Sequence, residues 1–206
     1  MNTWIVSDWH LRHENILRYD GRPFSTIEDH DKTIIDRTNE KVEEDDRLIY
    51  VGDMVFGQRK FDAIINFRGK IRCKNIYYVR GNHDGDSFYA TDGKPVRKGW
   101  SHEQKDYAIE QLRLFKCIED ILYVKWTIPY LWVSHYAHRT WPGQGKGTVH
   151  IFGHSHHNLE DDPHAFSMDV GCNGNNYYPY SMDDIRAWMN MKTPKAVDHH
   201  TEKNSW

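Results

Sequence analysis

Asp8, His10, Asp53, Asn82, His135, His154 and His156 form, by type, a set of metal ligands: two carboxylates, one amide and four imidazoles, with no thiolate. They sit in five short motifs, Asp8-Trp9-His10, Gly52-Asp53, Gly81-Asn82-His83-Asp84, Ser134-His135 and Gly153-His154-Ser155-His156. Asp8 and His10 stand two apart, as do His154 and His156, so in an extended segment each pair shares a face and can aim at one ion. Asp53, with two oxygens and a full charge, can bridge two cations. Such a mixture is what a two-metal hydrolytic centre uses.

Each motif follows a short apolar run: Thr3–Val6, Arg47–Val51, Asn75–Val79, 128–133 and 148–152. Runs of this length read as buried strands. In open α/β sheets, sites gather outside the carboxyl ends of strands, where loops converge on one crevice. Ser25-Thr26-Ile27-Glu28 has the pattern of a capping box. It opens a helix with Ile27, Ile34, Ile35 and Val42 on one face. Phe61, Ile64, Ile65 and Phe67 predict a second, shorter helix, and 103–114 a third. Ser181, followed by Asp183 and Asp184, predicts the cap of a last helix ending near Met189. Two more strands are expected at 120–126 and 166–170, a polar loop at 84–102 and a loose tail at 192–206. Helices among the early strands and strands in succession later predict an α/β sandwich of two sheets in a single domain over 1–191.

The chain has 206 residues and a net charge of −3 with histidines neutral, which gives no sign of a basic groove for long nucleic acid. Eight Trp, twelve Tyr and eight Phe supply apolar surface enough to exclude a disordered chain. Packing is the expected role of Trp100, Trp126, Trp132 and Trp141, ahead of base stacking, while the basic cluster at 94–98 reads equally well as a steering patch for a phosphorylated substrate and as a solvated loop. Cys73, Cys117 and Cys172 are odd in number and widely spaced, which fits idle thiols in a reducing compartment. With no basic n-region before an apolar stretch and no membrane-length apolar run, a cytoplasmic protein is expected.

The ordered motifs resemble the calcineurin-like metallophosphoesterase superfamily over roughly residues 3–190. The resemblance implies a four-layer αββα sandwich of two mixed sheets flanked by helices. It implies one ion held by Asp8, His10, Asp53 and His156, and a second sharing Asp53 and adding Asn82, His135 and His154. His83 matches the catalytic histidine, and Asp84 the carboxylate that orients it. Arg22-Pro23-Phe24, with Asp8-x-His10-x-x-His13, is similar to a bacterial and phage branch of small phosphoesterases. Met168-Asp169-Val170-Gly171, Pro179 and Ser181 match the terminal strand and helix of small members. The Asp-Arg-Gly that follows Gly-Asp in protein serine/threonine phosphatases is replaced by Met54-Val55-Phe56, which argues against a phosphoprotein substrate.

The expected chemistry is phosphoester hydrolysis, with a water acidified between two cations attacking phosphorus in line and His83 protonating the leaving alkoxide. Manganese is the expected ion, and iron, nickel or zinc also suit nitrogen and oxygen ligands. Arg12, His13, His138 and Arg139 flank the motifs and are candidates for gripping substrate phosphate, while Arg80 is expected in a salt bridge. The expected substrate is small and phosphorylated, a phosphodiester or a nucleotide. Two alternatives stand beside it: a nuclease acting on single strands, and a non-catalytic scaffold that retains the fold. Oligomeric state is not legible.

Overall fold

Side chains along β1 (Thr3–Val6), β2 (Arg47–Val51) and β3 (Asn75–Val79) alternate between two separate cores, as the period of a strand requires. Val6, Leu48, Tyr50, Ile76 and Tyr78 face one way and pack with Ile34, Ile64 and Phe67. These last three come from helices α2 (Ile27–Lys41) and α3 (Lys60–Lys70). Ile5, Ile49, Val51 and Val79 face the other way, into a core shared with a second sheet. The computed structural model describes residues 1–57, 60–84 and 114–195. The helix expected at 103–114, the loop expected at 84–102, Trp100, the 94–98 cluster and the tail from 196 onward fall almost wholly outside them.

The other described elements are helix α1 (Ile16–Tyr19), strands β4 (Cys117–Glu119), β5 (Ile121–Val124), β6 (Leu131–Ser134), β7 (Val149–Phe152), β8 (Ser167–Asp169) and β9 (Tyr180–Ser181), and helix α4 (Met182–Asn190). The first sheet runs β4-β3-β2-β1-β9, parallel apart from β9, which pairs antiparallel with β1. The second runs β5-β6-β7-β8, with β5 and β6 antiparallel and the rest parallel. Two mixed sheets with helices thus form the expected α/β sandwich. Leu131, Val133, Val149 and Ile151 of the second sheet fill the inter-sheet core, which Ile185 and Met189 of α4 help to close. On that sheet's outer face, buried His150 stacks against His138 at 5.1 Å and meets Trp141 at 5.2 Å.

Differences from the expected elements have local causes. The N-cap of α2 is Thr26 rather than Ser25, its hydroxyl accepting from the Asp29 amide at 3.1 Å. The cap of α4 is as expected, with Ser181 and Asp184 reciprocating in a capping box. The run from 128 becomes strand only at Leu131, because Pro129 has no N–H for a ladder. Residues 192–195 are not loose: Thr193 and Lys195 donate backbone hydrogen bonds to Pro163 and His164 at 2.9 Å each. Cys73, Cys117 and Cys172 are free. No helix among the described residues is long and apolar enough to cross a membrane.

Candidate metal centre

The ligand loops continue the pairing of the strands that carry them. The amides of Asp8, His10 and Leu11 donate to the carbonyls of Gly52, Asp53 and Met54 at 3.1, 3.0 and 2.9 Å, so the loops after β1 and β2 run side by side. The Gly153 amide donates to His135 O at 3.0 Å, which joins the loops after β6 and β7. Nine non-glycine residues among those described have φ above zero, and five of them are Asp8, His10, Asp53, His154 and His156. Left-handed backbone is uncommon outside glycine, although Asp and His tolerate it better than most, and five such residues together persist only where the surroundings hold them. Gly153 marks a close approach between these loops: a Cβ there would collide with Ser7 Oγ and Asp8 Oδ2.

Seven side chains expected as ligands come together as two abutting groups. In the first, Nε2 of His10 and Nε2 of His156 are 3.1 Å apart, and both face Asp8 Oδ1, at 3.9 and 3.8 Å. Asp8 Oδ2 is occupied, accepting from Ser7 Oγ and from the His154 amide at 2.9 Å. Oδ1 is buried and no described group donates to it. In the second, Asn82 Oδ1 lies 3.0 Å from His135 Nε2 and 2.9 Å from His154 Nδ1. His135 donates its Nδ1 proton to Val51 O at 2.8 Å, which fixes the ring and aims Nε2 at the group.

Asp53 belongs to both. Its Oδ1 accepts from the His83 amide at 2.7 Å, and its Oδ2 stands 3.7 Å from His10 Nε2 and 3.4 Å from His135 Nε2. Donor atoms of Asp8, His10 and His156 converge, as do those of Asp53, His135 and His154. An orphaned carboxylate oxygen facing two imidazole nitrogens, beside an amide oxygen facing two more, is a donor set that a pair of divalent cations fits.

His83 stands at the mouth, 37% exposed, with Nε2 3.9 Å from Asp53 Oδ2 and its ring edge-on to His10. Asp84 is fully buried. Its Oδ2 accepts from the amides of Gly81 and Asp53 at 2.7 and 3.0 Å, and its Oδ1 from the Met54 amide and the Tyr78 hydroxyl at 3.2 and 2.8 Å. Asp84 therefore fastens the turn that carries Asn82 and His83 to the turn that carries Asp53. Its grip on His83 runs through backbone.

Electrostatics follow burial and pairing. Burial pushes the Asp8 carboxyl up to about 6, against the pull of His135 and His156. Burial pushes His10 down to about 2. Burial opposes ionisation of Asp53 and His135 alike, but their mutual contact outweighs it, lowering Asp53 to about 2 and raising His135 to about 9. Burial and the neighbouring Asp53 charge raise Asp84 to about 6.

The four candidates for substrate contact separate. His13 is buried beside the centre, its ring stacked on Phe56 at 3.8 Å and 5.6 Å from that of His10. His138 lines a cavity of about 400 Å³ with Arg80, Asn82, His135 and Tyr136, and its Nδ1 accepts from Trp132 at 3.0 Å. Arg12 lines a different groove, between α2 and α3, and Arg139 is exposed on the segment after β6. His157 fastens its loop, donating from its amide to Asp169 at 2.9 Å and lying 3.0 Å from Gly171 O. Arg80 pairs with Asp120 at 2.7 Å, as expected. Ser7 and Asp20, each in contact with a candidate ligand side chain, are not among the residues expected at the site, and Arg22 is expected there only as part of a motif.

Residues 1–158 match the family model described as calcineurin-like phosphoesterase. A stretch of 87 residues is 33% identical to an uncharacterized protein of Methanocaldococcus jannaschii, MJ1445, covering 41% of this chain and 49% of that one. The chain thus spans about half the length of this curated relative. The crystal structure of AQ665, a protein of unknown function from Aquifex aeolicus, superposes with a TM-score of 0.56 at 17% identity, over 91% of this chain and 98% of that one, a likeness of fold.

Proposed function

The chain belongs to the calcineurin-like phosphoesterases, and on that premise we propose that it is a metal-dependent hydrolase that cleaves a phosphodiester or a small nucleotide at a two-ion centre. The observation that carries the two-ion reading is Asp53, whose Oδ2 faces His10 of one group and His135 of the other. Asp8, His10, Asp53 and His156 would hold one ion, and Asp53, Asn82, His135 and His154 the other. Divalent ions bound there supply Lewis acidity toward phosphoryl oxygens and toward coordinated water. Manganese is the proposed ion, in keeping with a donor set of imidazole and oxygen without thiolate.

The remaining work falls to the chain's own side chains. His83 stands open to solvent beside Asp53, where an imidazolium can reach a leaving oxygen and give up its proton. Asp84 holds His83 by fixing the backbone on either side of it. His13 and His138 flank the two groups and are the proposed substrate contacts, whereas Arg12 lines the groove between α2 and α3 and Arg139 is exposed after β6.

Hydrolysis of bis-p-nitrophenyl phosphate and p-nitrophenyl phosphate, after chelation and readdition of Mn, Ni, Zn or Mg, tests the reading. Turnover restored by metal and greater on the diester supports it. Preference for the monoester would overturn the diester assignment. Inert protein without bound metal would leave the scaffold reading in its place.

A further inference from the structure

Arg22 is only 4% exposed, a cation buried under a site that itself collects cations. Burying a guanidinium is costly unless its donors are met, and placing it beneath a metal position opposes metal binding. Something in this fold needs it there. Its Nη2 donates to Asp8 O at 2.9 Å and its Nη1 to Trp9 O at 2.9 Å, the two carbonyls at the start of the left-handed ligand loop. Nη1 also lies 2.7 Å from His30 Nε2, and the other ring nitrogen of His30 lies 2.8 Å from Asp31 Oδ1. Asp31 Oδ2 in turn accepts from the Arg12 amide at 3.0 Å, at the far end of the same loop. The strained stretch from Asp8 to Arg12 is thus held at both ends by one buried network.

Asp20 completes it on the ligand side. One oxygen, Oδ2, accepts from Arg22 Nε at 2.8 Å and lies 3.1 Å from His156 Nδ1. With the Nδ1 proton given to Asp20, His156 turns the lone pair of Nε2 toward Asp8 and His10. The carboxylate also stands between the guanidinium and the ligand group, offsetting the buried positive charge.

We propose that Asp20 and Arg22 are positioning residues for the first ion: Asp20 fixes the tautomer and direction of His156, and Arg22 holds the Asp8–Trp9 carbonyls so that Asp8 and His10 stay aimed. The inference rests on the two-ion reading above. The second group has exposed Asn82 and His154, and among its imidazoles His135 is oriented by a backbone carbonyl rather than a carboxylate, so we expect the first position to be the tighter of the two.

The test titrates Mn²⁺ into the chelated full-length chain by calorimetry, with the Mn(II) paramagnetic resonance spectrum following whether one ion or a coupled pair is present. Wild type takes two ions in unequal steps. In Asp20→Ala the tighter step weakens by about 100-fold and in Asp20→Asn, whose amide oxygen can still accept from Nδ1, by about tenfold, with the other step unchanged. The coupled spectrum then gives way to that of a single ion at Mn²⁺ concentrations that fill wild type. If Asp20→Ala does not fold, Asp20→Asn carries the test. Wild-type constants in Asp20→Asn, or equal weakening of both steps at an unchanged Tm, would overturn the inference and leave the two-ion reading standing. A wild type that takes only one ion would overturn both.

Discussion

The His154 amide donates to Asp8 Oδ2 at 2.9 Å, joining the loop after β7 to the loop after β1 across 146 positions of sequence. This bond and the Ser7 hydroxyl occupy one oxygen of Asp8 and leave the other for the centre. It also couples the two sheets, since β1 lies in one and β7 in the other.

The space around that bond admits no extra atom. Gly153→Ala is expected to push Ser7 and the Asp8 carboxylate aside, at an overpacking cost of about 1–3 kcal/mol. The variant should lose metal on dialysis that wild type retains, as read by elemental analysis. Equal retention at an equal Tm would contradict the crowding argument.

His83→Ala should keep both ions, because no expected ligand is removed. Turnover on an alkyl phosphodiester should fall by about 10²–10⁴-fold, the usual worth of a positioned acid. With p-nitrophenolate, which leaves without a proton, the loss should be much smaller. Equal losses on the two leaving groups would take His83 out of the role of proton donor.

Much of this centre is legible in the residue order. Each candidate ligand motif follows an apolar run short enough to be a buried strand, and strand ends bring loops together, so Asp8, Asp53, Asn82, His135 and His154 can be grouped from order alone. Asp20 and Arg22 cannot. They act through single hydrogen bonds to His156 and to the Asp8 carbonyl, and no periodicity reports such a contact. Strands β4 and β9 are three and two residues long, below the length at which alternation can be seen. Thr26 takes the place of Ser25 as a helix cap because adjacent hydroxyls satisfy the same pattern, and backbone conformation chooses between them.

Asp84→Asn exchanges one acceptor oxygen for a donor among three backbone N–H groups and a hydroxyl. Whichever way the amide turns, a buried donor faces a donor. Stability should fall by about 2–3 kcal/mol, or roughly 4–12 °C in Tm by thermal melting. An unchanged Tm would show that the turn does not depend on this carboxylate.

His150 offers a test of stability against pH away from the ligands. Its Nδ1 donates to Trp132 O at 3.0 Å and its Nε2 accepts from the His138 amide at 2.8 Å, so the neutral ring is fully engaged. Burial lowers it from 6.5 to about 4. Between those values the unfolded chain binds this proton and the folded chain does not, so the contribution is intact above about pH 6.5 and declines as pH falls toward 4, by on the order of 3 kcal/mol. In metal-free protein, His150→Gln should be less stable at pH 8 and should lose less of its urea midpoint between pH 8 and pH 5. A wild-type slope in the variant would contradict the assignment.

Asp53→Asn goes most directly to the central claim, a phosphoesterase whose two ions share one carboxylate. The amide keeps the shape of Asp53 and removes the charge that faces both His10 and His135. Metal content and diester hydrolysis, measured together after reconstitution with Mn²⁺, are predicted to show fewer than two ions per chain and activity down by a hundredfold or so, on the order of 3 kcal/mol in the barrier. Two ions retained with wild-type turnover would mean that Asp53 bridges nothing.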